Sequence, residues 1–249
     1  MIDMDVMVIL DRSGSMQDRR ADHEGGVRSF IEDQRTLPGD VRFTLVQFDT
    51  TDPCEIVYDR VPLADVGPVM LVPRGGTPLL DAIGKGVAHL RAQQAKAPAT
   101  QTVIMIVTDG EENSSREWTK DRVTALIDEI GKLGMQTLFL GAGIDAFAEA
   151  GGMGFAMTNT MASPNTPASL NAAYMINSDK VKMARSMSAA GMSVGAIAQA
   201  YNYTAEERAT VTSGGAFTPN ASGTFTPPPT TTTNAAAILE TTETADDKE

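Results

Sequence analysis

Val6-Met7-Val8-Ile9-Leu10 and Val103-Ile104-Met105-Ile106-Val107 are apolar without interruption. A half-exposed strand alternates apolar with polar residues, so runs of this kind belong to strands covered on both faces, as in a parallel sheet packed between layers of helices. Each run leads into a carboxylate, Asp11 directly and Asp109 after Thr108. Carboxylates at the ends of buried strands place negative charge at the rim of the sheet, where folds of this class bind ligands.

The rest of the chain fits that frame. Val27, Phe30, Ile31 and Gln34 to Leu37 recur at helical spacing, and Pro38-Gly39 ends the segment. Phe43 to Phe48 and Glu55 to Tyr58 read as a strand pair joined by a polar turn at Asp49 to Pro53. A second helix follows Thr77, with Leu80, Ile83, Val87 and Leu90 along one face and Pro98 closing it. Ser114-x-x-Glu117 reads as a capping box for a third helix carrying Val123, Leu126, Ile127, Ile130 and Leu133. Gly134 stops that helix before the buried strand Met135 to Leu140. Beyond Gly143, the pattern predicts a helix over 145–150, a break over 151–154, a last short strand or a loop over 157–160, and two helices over 169–174 and 178–187. Strands alternating with helices predict an α/β fold, doubly wound, with a mostly parallel sheet and helices on both faces.

Composition sets the outer bounds. The 249 residues are 42% hydrophobic, enough for one sizeable domain plus extras. Aromatics are only 5% against 14 methionines, which predicts an aliphatic core with Met as gap-filler. A net charge of −12 disfavours binding to nucleic acid or to an anionic membrane. One cysteine, Cys54, permits no internal disulfide. No apolar run approaches the ~18 residues of a membrane span, and Met1 to Asp5 lacks the basic start and long apolar core of a signal peptide. The expectation is a soluble, cytoplasmic protein. From Thr210 the composition turns to Thr, Pro, Ala and Gly with an acidic end, which predicts a disordered tail over 210–249.

Asp11-Arg12-Ser13-Gly14-Ser15 carries the chemistry. In an extended or tightly turning segment alternate residues project to one side, so Asp11, Ser13 and Ser15 can converge, while Gly14 lets the backbone turn between the serines. Three hard oxygens suit Mg²⁺, which keeps several waters, better than Zn²⁺ or Ca²⁺. A Ser/Asp loop capping a helix is the competing reading. Gly75-Gly76-Thr77-Pro78 offers a further hydroxyl at a glycine-rich turn before a helix, and Asp109-Gly110 a further carboxylate.

With those elements together the chain resembles the von Willebrand factor A (VWA) family, whose metal-ion-dependent adhesion site, or MIDAS, runs Asp-x-Ser-x-Ser, then Thr, then Asp. The resemblance covers roughly residues 3 to 175 and fills all five positions in order: Asp11, Ser13, Ser15, Thr77 and Asp109. It implies that the first and fourth strands lie side by side. Ser13, Ser15 and Thr77 would be direct or near-direct ligands, and Asp11 and Asp109 would act largely through ordered waters. The cofactor is then Mg²⁺, with Mn²⁺ as substitute, and the function is a metal-dependent protein–protein interaction in which a partner protein supplies a carboxylate. Thr108 to Ser115 is closest in style to intracellular bacterial and phage-encoded VWA proteins, which implies an adaptor for an ATPase, a stress-response complex such as tellurium resistance, or a virion component. The expected organisation is a VWA domain over 1–175, a helical extension over 176–209 and the tail over 210–249.

Two rivals belong to other classes. A metal-dependent phosphatase-like hydrolase would use Asp11 as nucleophile, but its pattern requires an acid two residues on, where Ser13 stands. A helix-turn-helix DNA-binding module could occupy 187–209, but its second helix, Thr204 to Ala209, is acidic. There is no Gly-x-Ser-x-Gly elbow and no phosphate-binding Gly-x-x-x-x-Gly-Lys loop. The chain is expected not to be an enzyme. Glu111 and Glu112 read as acids favoured near a helix N-terminus or as carboxylates that tune the metal. Arg74 could pair with a partner acid, and His23 and His89 read as structural or exposed.

Overall fold

The computed structural model describes residues 3–219. The chain runs β1 (Asp3–Asp11), a 3₁₀ turn (Gly14–Arg19), α1 (Arg20–Arg35), β2 (Asp40–Phe48), β3 (Glu55–Pro62), α2 (Leu79–Gln94) and β4 (Gln101–Thr108). It continues through α3 (Lys120–Lys132), β5 (Gln136–Ala142), α4 (Ala146–Gly152), β6 (Thr160–Ser163), α5 (Pro167–Ala189), α6 (Val194–Ala200) and α7 (Ala205–Ser213). The six strands form one sheet in the order β3-β2-β1-β4-β5-β6, parallel except for β3, which pairs antiparallel with β2 at the edge.

The uninterrupted apolar runs lie in the middle of that sheet, and their side chains divide by parity. Val6, Val8 and Leu10 pack with α1 and α5 on one face, while Met7 and Ile9 pack with α2 and α3 on the other. β1 and β4 are neighbours in parallel register, with Leu10 opposite Val107. The order in which the strands are laid down reverses direction between these two, while the strands themselves run parallel, so Asp11 and the Thr108-Asp109 step emerge together at their carboxyl ends. The α1–α5 contact is close because α1 carries Gly26 where a Cβ would overlap the ring of the buried Tyr174.

Several expectations change. The helices expected over 169–174 and 178–187 are one helix, α5, which runs unbroken through residues 175–177. Its apolar spacing is interrupted by Asn177-Ser178-Asp179-Lys180, yet all four are buried. Burial is supported by partners from distant segments. The Ser178 hydroxyl donates to Asp33 (2.6 Å), Lys180 pairs with Glu207 (2.7 Å), and the Tyr203 hydroxyl donates to Asn177. The same contacts hold α7 against the body, so order extends past Thr210: Val211 is fully buried and Phe217 packs on the core. The rest of the expected disordered tail, 220–249, lies outside the described residues. The segment over 157–160, expected as a last short strand or a loop, is a 3₁₀ turn (Met157–Asn159) followed by β6. The cap of α3 is Thr119, whose hydroxyl accepts from the Arg122 N–H; Glu117 of the expected Ser114–Glu117 box pairs with Lys85 instead. No helix among the described residues is long and apolar enough to cross a membrane.

Candidate metal centre

Three loops meet at the carboxyl ends of β1 and β4. The first is the Asp11–Ser15 loop. Asp11 is fully buried, with one carboxylate oxygen accepting from the Ser13 N–H (2.6 Å) and the other from the Thr108 hydroxyl (2.6 Å). The Ser13 and Ser15 hydroxyls are 2.9 Å apart, and that of Ser15 donates to Asp109 (2.6 Å). The competing helix-cap role finds no support, since the Ser13 side chain makes no cap hydrogen bond to the 3₁₀ turn that follows it.

Thr77 arrives on the second loop. Gly75 takes a left-handed backbone (φ 67°), its carbonyl accepts from the Gly14 N–H (3.0 Å), and the chain then turns to present Thr77 at 2% exposure. A Cβ on Gly110 would lie 2.7 Å from the Thr77 hydroxyl oxygen and 3.6 Å from that of Ser15. The bare Gly110 backbone therefore leaves a cradle beside both hydroxyls. The hydroxyls of Ser13, Ser15 and Thr77 and the Asp109 carboxylate thus gather at the end of the sheet, with the buried Asp11 bonded to the Ser13 N–H behind them.

The third loop, Asp109 to Trp118, is fastened to α2. Asn113 holds Thr77 by both backbone groups, its Oδ1 accepting from the Thr77 N–H (2.9 Å) and its N–H donating to the Thr77 carbonyl (3.1 Å). Glu112 accepts from the Leu80 N–H in the first turn of α2 (2.9 Å) and from the Ser114 and Ser115 N–H groups (2.8 and 2.7 Å). It is a helix-capping carboxylate, the role the helix dipole favours. Asp81 returns the link, accepting from the N–H groups of Arg116, Glu117 and Trp118. Glu111 alone of the acidic pair is exposed.

Sequence reading missed Asn113, Thr108, Asp49 and Asn165. Asn and Thr in loops carry no spacing signal, and Asn165 arrives from the far side of β6. Asn165 adopts a left-handed backbone (φ 59°), and its side chain acts to lower the pKa of Asp109. Arg74 does not stand free, because its Nε donates to Asp49 (2.9 Å). His23 is fully buried with Nδ1 3.0 Å from the Tyr174 hydroxyl, and burial pushes its pKa down to about 4; His89 is half-buried, with Nε2 2.9 Å from the Asp59 carboxylate.

Burial raises the Asp11 carboxyl to about 6 against the hydrogen bonds from Thr108 and Ser13, with the Asp109 charge adding to the rise. Burial raises Asp109 too, opposed by Ser15 and Asn165. A site that penalises its own carboxylate charge is one that a cation would relieve. In EDTA, Asp11 binds a proton more tightly folded than unfolded, so its stabilising contribution is present below the unfolded pKa of 3.8 and is lost as pH rises through about 6. The full difference is about 3 kcal/mol. Unfolding of the parent and Asp11→Asn in EDTA should therefore show the variant gaining on the parent by about that amount between about pH 4 and pH 7. A pH-independent difference would refute the buried-charge account.

Among the described residues, no group of three or more His, Cys, Asp or Glu side chains is placed to hold a metal. A metal at this point would draw on the hydroxyls of Ser13, Ser15 and Thr77 beside two carboxylates, an all-oxygen donor set that fits Mg²⁺ or Mn²⁺.

The model of the von Willebrand factor type A domain family matches residues 5–173. Among solved structures, the pilus adhesin SpaC from Lactobacillus rhamnosus GG has a TM-score of 0.56 at 12% identity, over 74% of this chain and 30% of that one. Proximal thread matrix protein 1 from the mussel byssus has 0.53 at 15%, over 70% and 46%. The SpRpn10 VWA domain has 0.50 at 14%, over 69% and 95%. At such identities the likeness is one of fold, and the chain spans less than half of the mussel protein and of the adhesin. No curated protein matches the chain in sequence. The strand order, the buried apolar runs ending in carboxylates and the family match over most of the chain agree: this protein belongs to the von Willebrand factor type A domain family.

Proposed function

We propose that the chain is a metal-dependent protein-interaction module without catalysis of its own. Asp11, Ser13, Ser15, Thr77 and Asp109 hold Mg²⁺, which Mn²⁺ can replace, and the partner is a protein that brings a carboxylate to the site. The observation that carries this reading is the convergence of three hydroxyls and two carboxylates from three loops at one end of the sheet, with Ser15 exposed to solvent. A bound divalent cation supplies a coordination position for an oxygen from outside. The protein's own groups orient and hold: Thr108 and the Ser13 N–H fix Asp11, Asn113 fixes the Thr77 backbone, and the Ser15 hydroxyl holds Asp109.

The burial of Asp11 speaks against the hydrolase reading. A nucleophilic carboxylate needs an oxygen free for in-line attack, and both of its oxygens are occupied within a fully buried residue. The helix-turn-helix reading is opposed by α7, which turns Glu207 onto Lys180 and buries Val211 instead of offering a basic face.

Titration of Mn²⁺ by calorimetry tests the reading. The parent should bind, Thr77→Ala should bind about 100-fold more weakly with an unchanged circular dichroism spectrum, and Asp11→Ala should not bind. No uptake by the parent at millimolar metal would overturn it. Pull-downs with and without EDTA should then give an EDTA-sensitive partner, to be sought among ATPases and virion components, with capture lost in Ser13→Ala.

A further inference from the structure

We propose that Asp49, which touches neither metal nor partner, is a positioning residue for this site: it fastens the Asp11–Ser15 loop to the Gly75–Thr77 loop and thereby sets metal affinity. The inference rests on the metal reading above. Asp49 follows the last residue of β2 and is fully buried. One of its carboxylate oxygens accepts from Arg12 Nε (2.8 Å) and from Arg74 Nε (2.9 Å), and the other accepts from the Thr51 and Asp52 N–H groups (2.6 and 3.1 Å). A single oxygen thus joins the two loops that bring Ser13, Ser15 and Thr77 to the site.

The backbone repeats the connection. The Arg12 N–H donates to the Phe48 carbonyl (2.9 Å), the Arg74 N–H to the Arg12 carbonyl (2.9 Å) and the Gly14 N–H to the Gly75 carbonyl (3.0 Å). Thr50 adds its hydroxyl as acceptor for the Gly76 N–H (3.3 Å). In the Asp11–Ser15 loop the alternate residues that face the site are Asp11, Ser13 and Ser15, so Arg12 faces the other way, onto the tip of the β2–β3 hairpin. Its side chain is buried and is also held by Gln47 (3.3 Å) and Glu55. The orientation of Ser13 is therefore tied to where the Arg12 guanidinium is anchored, and the position of Thr77 to where Arg74 is anchored. Neutralising Asp49 would leave Arg12 buried with Glu55 as its remaining carboxylate and would release Arg74 toward solvent.

The fold contains a matched control. Asp5, equally buried near the opposite end of β1, accepts from Arg42 (2.9 Å), Arg60 (3.0 Å) and Gln94 (2.7 Å). It lies roughly 20 Å along the strand from Asp11. A purely stabilising role for buried carboxylate–arginine clusters would make Asp5→Asn and Asp49→Asn behave alike.

The test uses the full chain with Mn²⁺ as the probe, followed by calorimetry and by the resonance of free Mn²⁺, together with amide exchange by NMR in EDTA. Asp49→Asn should weaken Mn²⁺ binding about tenfold and speed exchange at the Gly14 and Arg74 amides, with the β1 amides still protected. Asp5→Asn should lower thermal stability without changing Mn²⁺ affinity. Should Asp49→Asn fail to fold, Arg74→Met, which keeps the buried Arg12–Asp49 pair, should give a smaller loss of affinity in the same direction. Unchanged Mn²⁺ affinity in the folded variant, equal losses in the Asp49 and Asp5 variants, or unchanged exchange at Gly14 and Arg74 would overturn the proposal. If the parent itself binds no Mn²⁺, the metal reading fails and the affinity claim with it, while faster exchange at the two amides would still establish the brace between the loops.

Discussion

Gly110→Ala is expected to remove divalent-metal binding while leaving the fold intact. The added methyl would stand 2.7 Å from the Thr77 hydroxyl oxygen and 3.6 Å from that of Ser15, inside the cradle the two hydroxyls share with Asp109. Thr77 cannot yield, because Asn113 holds its backbone from both sides and its side chain is buried. Gly110 is half-exposed in a loop outside the sheet, so the methyl displaces no core side chain and the cost in stability should stay within about 1 kcal/mol. Loss of metal affinity should be at least about 100-fold, comparable to removing Thr77 itself. Calorimetry with Mn²⁺ reads the first quantity and thermal denaturation in EDTA the second. Retained Mn²⁺ binding in a folded Gly110→Ala protein would place the metal elsewhere.

The largest stability effect is expected at the α1–α5 contact. A Cβ at Gly26 would overlap the Tyr174 ring, and that ring is confined: the residue is 1% exposed, and its hydroxyl lies 3.0 Å from Nδ1 of the fully buried His23. Gly26→Ala would gain helix propensity, about 1 kcal/mol, but overpacking a buried ring costs more, about 3 kcal/mol net where neither helix can retreat. For a domain of this size that is a fall of about 10 °C in Tm. Combining Gly26→Ala with Tyr174→Leu should be far less damaging than the sum of the single effects, because the second change vacates the space the first one needs. Additive losses would show that the helices do not meet at these residues. The metal site, at the end of the sheet, should keep its Mn²⁺ affinity in the folded fraction of each variant.

The sequence alone determined the layers of the fold, because they are written in local patterns. The five-residue apolar runs are too short for helices and read as strands buried on two faces, and the amphipathic stretches between them read as the covering helices, so the parallel α/β sheet follows from period and length. Asp11, Ser13 and Ser15 are legible because alternate residues face one way, and Thr77 and Asp109 because they sit where a glycine turn and a buried strand end. What tertiary structure decided were the roles of polar residues whose partners are remote in sequence. Met175 to Asn177 read as a break between two helices, but α5 runs through them, and α1, α7 and Tyr203 just before α7 supply the partners that let Asn177 to Lys180 be buried in its middle. Glu112 read as an acid near a helix terminus, and only the fold shows that the terminus it caps is that of α2, with its nearest contact there 32 residues back along the chain. Asp49 read as part of a polar turn. It becomes the junction between two site loops because β2 lies beside β1, which brings Arg12 within reach from 37 residues away. A hydrogen bond leaves no period in the sequence when its partner lies on another element, so its existence waits for the topology that joins them.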